Sequence, residues 1–539
     1  MFRALFALTA TVALAQQVSV EGRVVNDITG EGLRKAQVHL DGTGGRDAKR
    51  FVTTSAPDGS YKFENIPPGT YSVSADRSGY VYPRAGRRRL DGVQVAPGAS
   101  TRVPDIKLAP NAAVSGRITD EDGDPVQGAT VNASRFQFVM GRRLLITSQT
   151  ATTNDLGEFR IHDLPPGRYL IGASKTGGFR GPGGREPERQ GPDRDRQFDT
   201  VYYPGGSNPA AASPLELGAG QDYRGANLVL PRVDVYKVRG HVDNIVAGSS
   251  RRGWPSAIVY LYSNSAARFA ERRPAPIDVK TGTFEIRGVR PGSYTVVAQQ
   301  QGGEHSRVGV VNVDVGSSDV DDVRLALLEG FDLRGTVIAE GAAQPDFKSV
   351  AIQLAPVANY SSVTPSARSK PDGSFEIKQV TPLRYRVAVT SLPPGYWLRS
   401  IAWAGQVVPD GVVDFSAGGA SELGLKLAPG TGSISGLVRN SAGDGQPGLA
   451  VTIAPEAKYA SWFELYKETV SQPDGSFKFD NLRPGNYRVY AWEKIETGAH
   501  QDPDFLKPHE TNSSPVSLET DATVTVHPKP IPAGSTGVL

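Results

Sequence analysis

Seven histidines, a run of alternate aspartates, several paired arginines and five tryptophans are the residues of this chain best equipped for chemistry. His500 and His509 flank Asp502 and Asp504, donor types that can ligate a divalent metal, but their spacing is loose and a solvated loop after a strand is the stronger reading. Asp120, Asp122 and Asp124 in DEDGD alternate as the start of a calcium loop does. No Glu closes such a loop at its twelfth position, so a turn is expected there. Arg87 to Arg89 and the pairs Arg142-Arg143, Arg251-Arg252 and Arg272-Arg273 belong to a chain with 59 Lys+Arg against 56 Asp+Glu. A net charge of +3 gives no field able to hold a phosphate backbone, so nucleic acid is not expected as a partner, and these arginines read as solvated faces, with an anionic-glycan surface as the alternative. The absence of cysteine rules out thiolate catalysis, disulfides, Cys-ligated zinc and iron–sulfur clusters. There is no G-x-S-x-G elbow, no Walker-type loop and no dinucleotide fingerprint. No catalytic residue, metal or cofactor is expected.

The aromatics offer more. Sugar rings present apolar faces that stack on flat side chains next to polar groups. Tyr459, Trp462, Phe463 and Tyr466 crowd the segment KYASWFELYKE, while Trp397 and Trp403 sit in GYWLRSIAW. Trp462, Tyr459, Tyr466, Trp397 and Trp403 are therefore the candidate ligand-binding residues, with a glycan or a surface protein as partner. Tyr459, Trp462, Phe463 and Tyr466 also fall at i, i+3, i+4 and i+7, one face of a short helix covering a sandwich edge. Packing competes with binding as the reading of this cluster.

The elements that must position these residues come from a repeat. Five times a short alternating segment meets a glycine, at Gly22, Gly116, Gly240, Gly335 and Gly436. Each is followed by a second signal: DGSYKFENIPPGTYSV from Asp58, DLGEFRIHDLPPGRYLI from Asp155, TGTFEIRGVRPGSYTV from Thr281, DGSFEIKQVTPLRYRV from Asp372 and DGSFKFDNLRPGNYRV from Asp474. In every copy an aromatic and a later Tyr stand ten residues apart: Tyr61 and Tyr71, Phe159 and Tyr169, Phe284 and Tyr294, Phe375 and Tyr385, Phe477 and Tyr487. Asp-Gly supplies a tight turn with a residue at positive φ, and the Phe-x-Ile that follows alternates as a half-buried strand must. Pro-Gly then presets a second turn before another alternating strand. The opening glycine predicts a bulge or a close approach in an earlier strand. Helical periodicity is confined to Ala266–Arg273 and Ser461–Glu468, both in connections. Modules of about 100 residues with about seven short strands predict an all-β chain, a tandem array of five Ig-like β-sandwiches.

The G-x-[IV] opening, the DGSF turn and the PG-x-Y-x-V close resemble the carboxypeptidase regulatory-like domain, a prealbumin-like sandwich akin to Cna-B modules and the carbohydrate-binding-like fold. The resemblance covers essentially the whole chain after residue 15 and is strongest in modules one, two and five. Module three has Thr281 in place of the turn Asp, and module four has Leu383 in place of the second Gly. The family name raises the question of a zinc peptidase, whose H-x-x-E pattern supplies metal ligands. None of the seven histidines has a Glu three positions on, and no segment is left over for a catalytic domain, so the resemblance implies a fold without an active site.

Residues 1–15, MFRALFALTATVALA, carry one Arg, an apolar run and an A-x-A end, the pattern of a signal peptide. Its 12-residue apolar run spans about 18 Å, too short for a bilayer core of about 30 Å. No later stretch is long and apolar enough, so no transmembrane segment is expected after signal cleavage. The expected order is module one at 16–110, module two at 111–231 with a mobile loop at 177–197, module three at 232–328, module four at 329–428, module five at 429–528 and a tail at 529–539. The function this predicts is an exported, non-catalytic binding or scaffold protein of the cell surface or matrix, with carbohydrate binding through exposed aromatics as the alternative.

Overall fold

A computed structural model describes residues 18–43, 49–82, 89–139, 142–175, 196–209, 211–246, 257–264, 272–301, 306–341, 344–357, 364–419 and 421–533. The expected signal peptide and residues 177–195 of the expected mobile loop lie outside the described residues. The chain divides into two compact units. The first comprises Met1–Ser134, Thr147–Ala173 and Ser213–Val229, and the second Arg135–Ile146, Ser174–Ala212 and Leu230–Leu539.

The described residues are all-β apart from short turns of helix, and the same strand pairing recurs with each copy of the motif. In the first unit, Ser19–Asn26 pairs antiparallel with Ser60–Glu64 and parallel with Ile106–Pro110. Ala112–Thr119 pairs in the same way with Glu158–Leu164 and Asp222–Arg224. In the second unit, Tyr236–Asp243 lies between Thr283–Val289 and Val320–Ala326, and Phe331–Ala339 between Ser374–Val380 and Leu423–Pro429. Gly432–Leu437 lies between Ser476–Leu482 and Thr523–Val526. A second sheet accompanies each of these. Its centre is the strand that carries the closing Tyr: Gly69–Asp76 beside Gln37–Gly42, Gly292–Gln300 beside Ala257–Ser263, Arg384–Ser391 beside Ala351–Pro356, and Gly485–Trp492 beside Ala450–Pro455.

Alternation decides what lies between the sheets, because successive side chains point to opposite faces. In Ser60–Glu64 the buried residues are Tyr61 and Phe63, and in Gln37–Gly42 they are Val38 and Leu40. Together with Val20, Val24, Tyr71 and Val73 they form one core. Corresponding cores gather around Phe284 and Tyr294, Phe375 and Tyr385, and Phe477 and Tyr487. All ten aromatics of the repeat motif are buried.

Three local expectations change. Arg196 and Gln197, at the end of the expected mobile loop, belong to a strand, Arg196–Phe198, which pairs with Arg232–Asp234. A backbone ladder and an Arg196 to Arg232 carbonyl hydrogen bond of 2.7 Å outweigh the polar composition there. Pro530–Ile531, within the expected tail, joins the last sheet parallel to Ala491 and Trp492, and Ile531 is buried. The helical pattern at 461–468 becomes 3-10 turns at Ala457–Tyr459 and Phe463–Leu465, followed by the strand Lys467–Val470. Pairing with Ala450–Pro455 takes the last residues that a longer helix would have needed. No helix of the described residues is long and apolar enough to cross a membrane.

Candidate functional site

The repeated residues do structural work, and the geometry shows what. Each opening glycine is paired directly across the strands with the first aromatic of its motif: Gly22 with Tyr61, Gly116 with Phe159, Gly240 with Phe284, Gly335 with Phe375 and Gly436 with Phe477. A β-carbon on Gly22 would lie 2.6 Å from the Tyr61 hydroxyl oxygen, and one on Gly335 would lie 2.2 Å from the Phe375 ring. Glycine gives the aromatic room to lie across the neighbouring strand. The turn glycines Gly59, Gly157, Gly282, Gly373 and Gly475 have φ between +73° and +85°, the left-handed region that glycine enters without steric cost.

Carboxylates cap these turns. Asp58, Asp372 and Asp474 each accept the backbone N–H of the Ser two positions on, at 2.9 to 3.0 Å. Hydrogen bonds from that Ser hydroxyl and N–H hold all three below the usual carboxylate range. In module three the substitution by Thr281 moves the cap upstream. Asp278 accepts from the Lys280 N–H at 2.9 Å, and the Gly282 N–H reaches the Asp278 carbonyl, where Gly59 reaches Ala56. That turn is one residue longer.

The closing tyrosines form a corner. Tyr71 donates to the Pro67 carbonyl at 2.8 Å, Tyr169 to Pro165 at 2.6 Å, Tyr294 to Arg290 at 2.9 Å and Tyr487 to Arg483 at 2.8 Å. The acceptor is always four residues back. In module four, where Leu383 replaces glycine, the Leu383 N–H closes onto the Thr381 carbonyl and Tyr385 bonds the Thr381 hydroxyl at 2.5 Å instead. Burial pushes the Tyr487 hydroxyl pKa well up, in keeping with a group that never needs to ionise.

The five candidate ligand-binding aromatics take different positions. Trp462 is 5% exposed and belongs to the core that holds Leu398, Ile401, Val413 and Phe415, with its indole N–H donated to the Pro409 carbonyl at 2.9 Å. Tyr466 is 6% exposed among Tyr490, Trp492 and Phe505, and burial pushes its hydroxyl up to about 12. Phe138, in the Arg135–Ile146 part of the second unit, is in the same cluster. Tyr459 and Trp397 are half-buried and share one cation: the Arg483 guanidinium lies 4.1 Å from the Tyr459 ring centroid and 4.7 Å from that of Trp397. Arg483 also donates to the Tyr459 hydroxyl at 2.8 Å. Trp403, half-buried, stands edge-on to Phe415 at 4.8 Å. The structure thus brings Tyr459 and Trp397 together and gives Trp462 and Tyr466 no open ring face.

The polar candidates are similarly engaged. Asp120 accepts the N–H groups of Asp122 and Asp124 at 3.1 and 2.9 Å, the contacts of a turn. Asn440 accepts those of Ala442 and Asp444 at 2.9 and 2.8 Å in module five, so a neutral amide serves equally and no cation is called for. Asp502 caps the short helix Pro503–Leu506 through the Asp504 N–H. His509 is buried edge-on to Trp492 at 5.1 Å. His500 is buried with Nδ1 3.2 Å from Glu468, and desolvation lowers its pKa to about 4. Among the described residues no group of three or more metal-ligating side chains comes together. An open cleft on module three is lined by Arg239, His241, Asp278, Glu285, Asp321 and Arg324. Arg239 is already tied to Glu285 and Asp321 at 2.8 Å and to Asp319 at 3.1 Å.

Sequence reasoning found the aromatic pairs but missed the tyrosine corner and the roles of Arg290 and Arg483. The signal was available: an x-Pro-Gly-x-Tyr spacing, with Leu383 for the Gly in module four, puts x four residues before the Tyr.

Residues 19–109 and 113–179 match the carboxypeptidase regulatory-like domain. No curated protein resembles the chain closely enough in sequence to count as a relative. Among solved structures, the Bacillus anthracis TIE protein is 12% identical, with 77% of this chain and 73% of that chain covered at a TM-score of 0.17. A streptococcal ancillary pilin is 10% identical, with 55% and 99% covered at 0.20. The minor pilin of Streptococcus agalactiae is 12% identical, with 44% and 100% covered at 0.23. At these scores the overlaps carry no information on function.

Proposed function

We propose that this chain, whose first two modules are carboxypeptidase regulatory-like domains, is an exported, non-catalytic scaffold of five β-sandwich modules, bounded near residues 110, 231, 328 and 428, that binds protein partners at a cell surface or in a matrix. The observation that carries the reading is the employment of its conspicuous residues. The repeat aromatics fill cores, the repeat carboxylates cap turns, and Trp462, Tyr459 and Trp397 hold neighbouring segments together. Several weak surfaces on one chain act together through high effective concentration. Carbohydrate recognition would need an open aromatic face beside polar groups. Of the five candidates, Trp403 retains most claim to that role.

The test is binding of the mature chain to intact cells stripped beforehand either with protease or with glycosidases. Loss of binding after protease alone supports a protein partner. Loss after glycosidases alone would overturn the scaffold reading in favour of a glycan.

A further inference from the structure

We infer that the residue four positions before the closing tyrosine is the point at which a module docks the chain that precedes it, and that an arginine there makes the junction a fixed one. The corner explains why this position is suited to the task. Its carbonyl is held by the tyrosine hydroxyl in four copies, so its side chain leaves from an anchored backbone. Modules one and two have Pro67 and Pro165 there, with no side chain that can reach a neighbour. Modules three and five have Arg290 and Arg483.

Both arginines reach back along the chain. Arg290 is 1% exposed, donates to the Phe198 carbonyl at 2.6 Å and has Nε 3.4 Å from the Asp199 carboxylate. Next to it, a β-carbon on Gly288 would come within 2.2 Å of the Gln197 amide nitrogen, so the entering segment lies tight against the module. A buried guanidinium is costly unless charge and hydrogen bonds compensate it, and the Phe198 carbonyl and the Asp199 carboxylate supply one of each. Arg483 does the same with π faces. It inserts between Tyr459 of module five and Trp397 of module four, while Trp462 and Ser461 of module five bond the Pro409 carbonyl and Arg386 of module four. A flat, weakly hydrated guanidinium can stack on two rings at once, which an ammonium cannot.

Module four supplies the contrast. Thr381 turns its hydroxyl to its own Tyr385, and the junction with module three is made elsewhere: Val297, Val308 and Tyr262 pack into the module-four core, Arg307 pairs with Glu329, and the Ser306 N–H donates to the Gln379 side chain at 3.4 Å. Module four thus meets module three without a side chain from the corner position, whereas modules three and five place an arginine there.

The absence of cysteine allows two labels to be placed cleanly in the full chain. Spin labels at Ile338→Cys in module four and Asp444→Cys in module five, both exposed, report the distance distribution across the junction. A single narrow distribution is expected. Arg483→Ala and Arg483→Lys should both lose it, since lysine restores the charge but not the flat face, and Trp397→Ala should lose it too. Far-UV circular dichroism checks that each variant is folded. Should Arg483→Ala fail to fold, Trp397→Ala, which removes one half-buried ring, decides the matter. A distribution that stays narrow in the folded variants, or is restored by Arg483→Lys, overturns the proposal.

Discussion

Tyr61 is the one repeat aromatic at its position to carry a hydroxyl, and that hydroxyl is buried above Gly22 with no hydrogen-bond partner among the described residues. A buried unsatisfied group costs about 1 to 3 kcal/mol, so Tyr61→Phe should stabilise module one by about 1 kcal/mol. Hydrogen exchange of the Ser19–Asn26 amides reads this directly, and slower exchange is expected. The closing tyrosines predict the reverse. Tyr487→Phe removes the hydroxyl that donates to the Arg483 carbonyl and should cost about 1 kcal/mol, seen as faster exchange in Gly485–Trp492. His500 gives a pH dependence. Its folded pKa of about 4 lies below its ordinary 6.5, so folding favours the neutral ring. That contribution, up to about 3 kcal/mol, is complete above pH 6.5 and is lost as the pH falls from 6.5 towards 4. Glu468, raised by burial, contributes in the opposite sense, most at low pH and less as its carboxyl ionises. An imidazole titration by NMR should place the His500 midpoint near 4, and a midpoint at 6.5 would contradict its burial.

At the scale of the element, the opening strand is the piece most sensitive to side-chain volume. A β-carbon on Gly436 would lie 1.7 Å from the Val526 carbonyl oxygen, backbone that cannot swing aside as a side chain can. Gly436→Ala should therefore cost about 1 to 3 kcal/mol, the range for overpacking, and should open the parallel pairing with Thr523–Val526 first. Protection lost in those two strands, with Ala450–Pro455 unaffected, is the expected exchange pattern. Much of this was legible in the sequence. Period-two alternation placed the strands, Asp-Gly placed the turns, and the constant spacing placed the aromatic pairs. What was not legible depended on partners far along the chain. The strand at Arg196–Phe198 looks like loop because its stability comes from Arg232–Asp234, and the helical spacing around Trp462 is broken because Lys467–Val470 is claimed by a sheet.

For the whole molecule, the junction residues matter more than the surface inventory. Trp462, the most conspicuous aromatic of the sequence, lies in the core around Phe375 and Tyr385 although it stands in the stretch that carries the next copy of the motif, Phe477 and Tyr487. Trp462→Ala should therefore act on stability, not on a ligand. Truncation of a buried Trp costs about 3 to 5 kcal/mol, and here the loss should appear in the strands around Phe375 and Tyr385, about 75 to 85 residues before it in the chain. Sequence alone could assign this residue to packing or to binding but not to a neighbour's core, because amphipathic spacing does not say which core a face meets.

A scaffold that binds protein partners, with its prominent aromatics spent on packing, should be retained on protein surfaces and not on polysaccharide. The most direct measurement is surface plasmon resonance of the mature full-length chain over a parallel panel of immobilised matrix proteins and polysaccharides, with Trp403→Ala run beside it. Saturable retention on protein surfaces that Trp403→Ala leaves unchanged, with none on polysaccharide, is expected. Saturable retention on a polysaccharide that Trp403→Ala abolishes would contradict it.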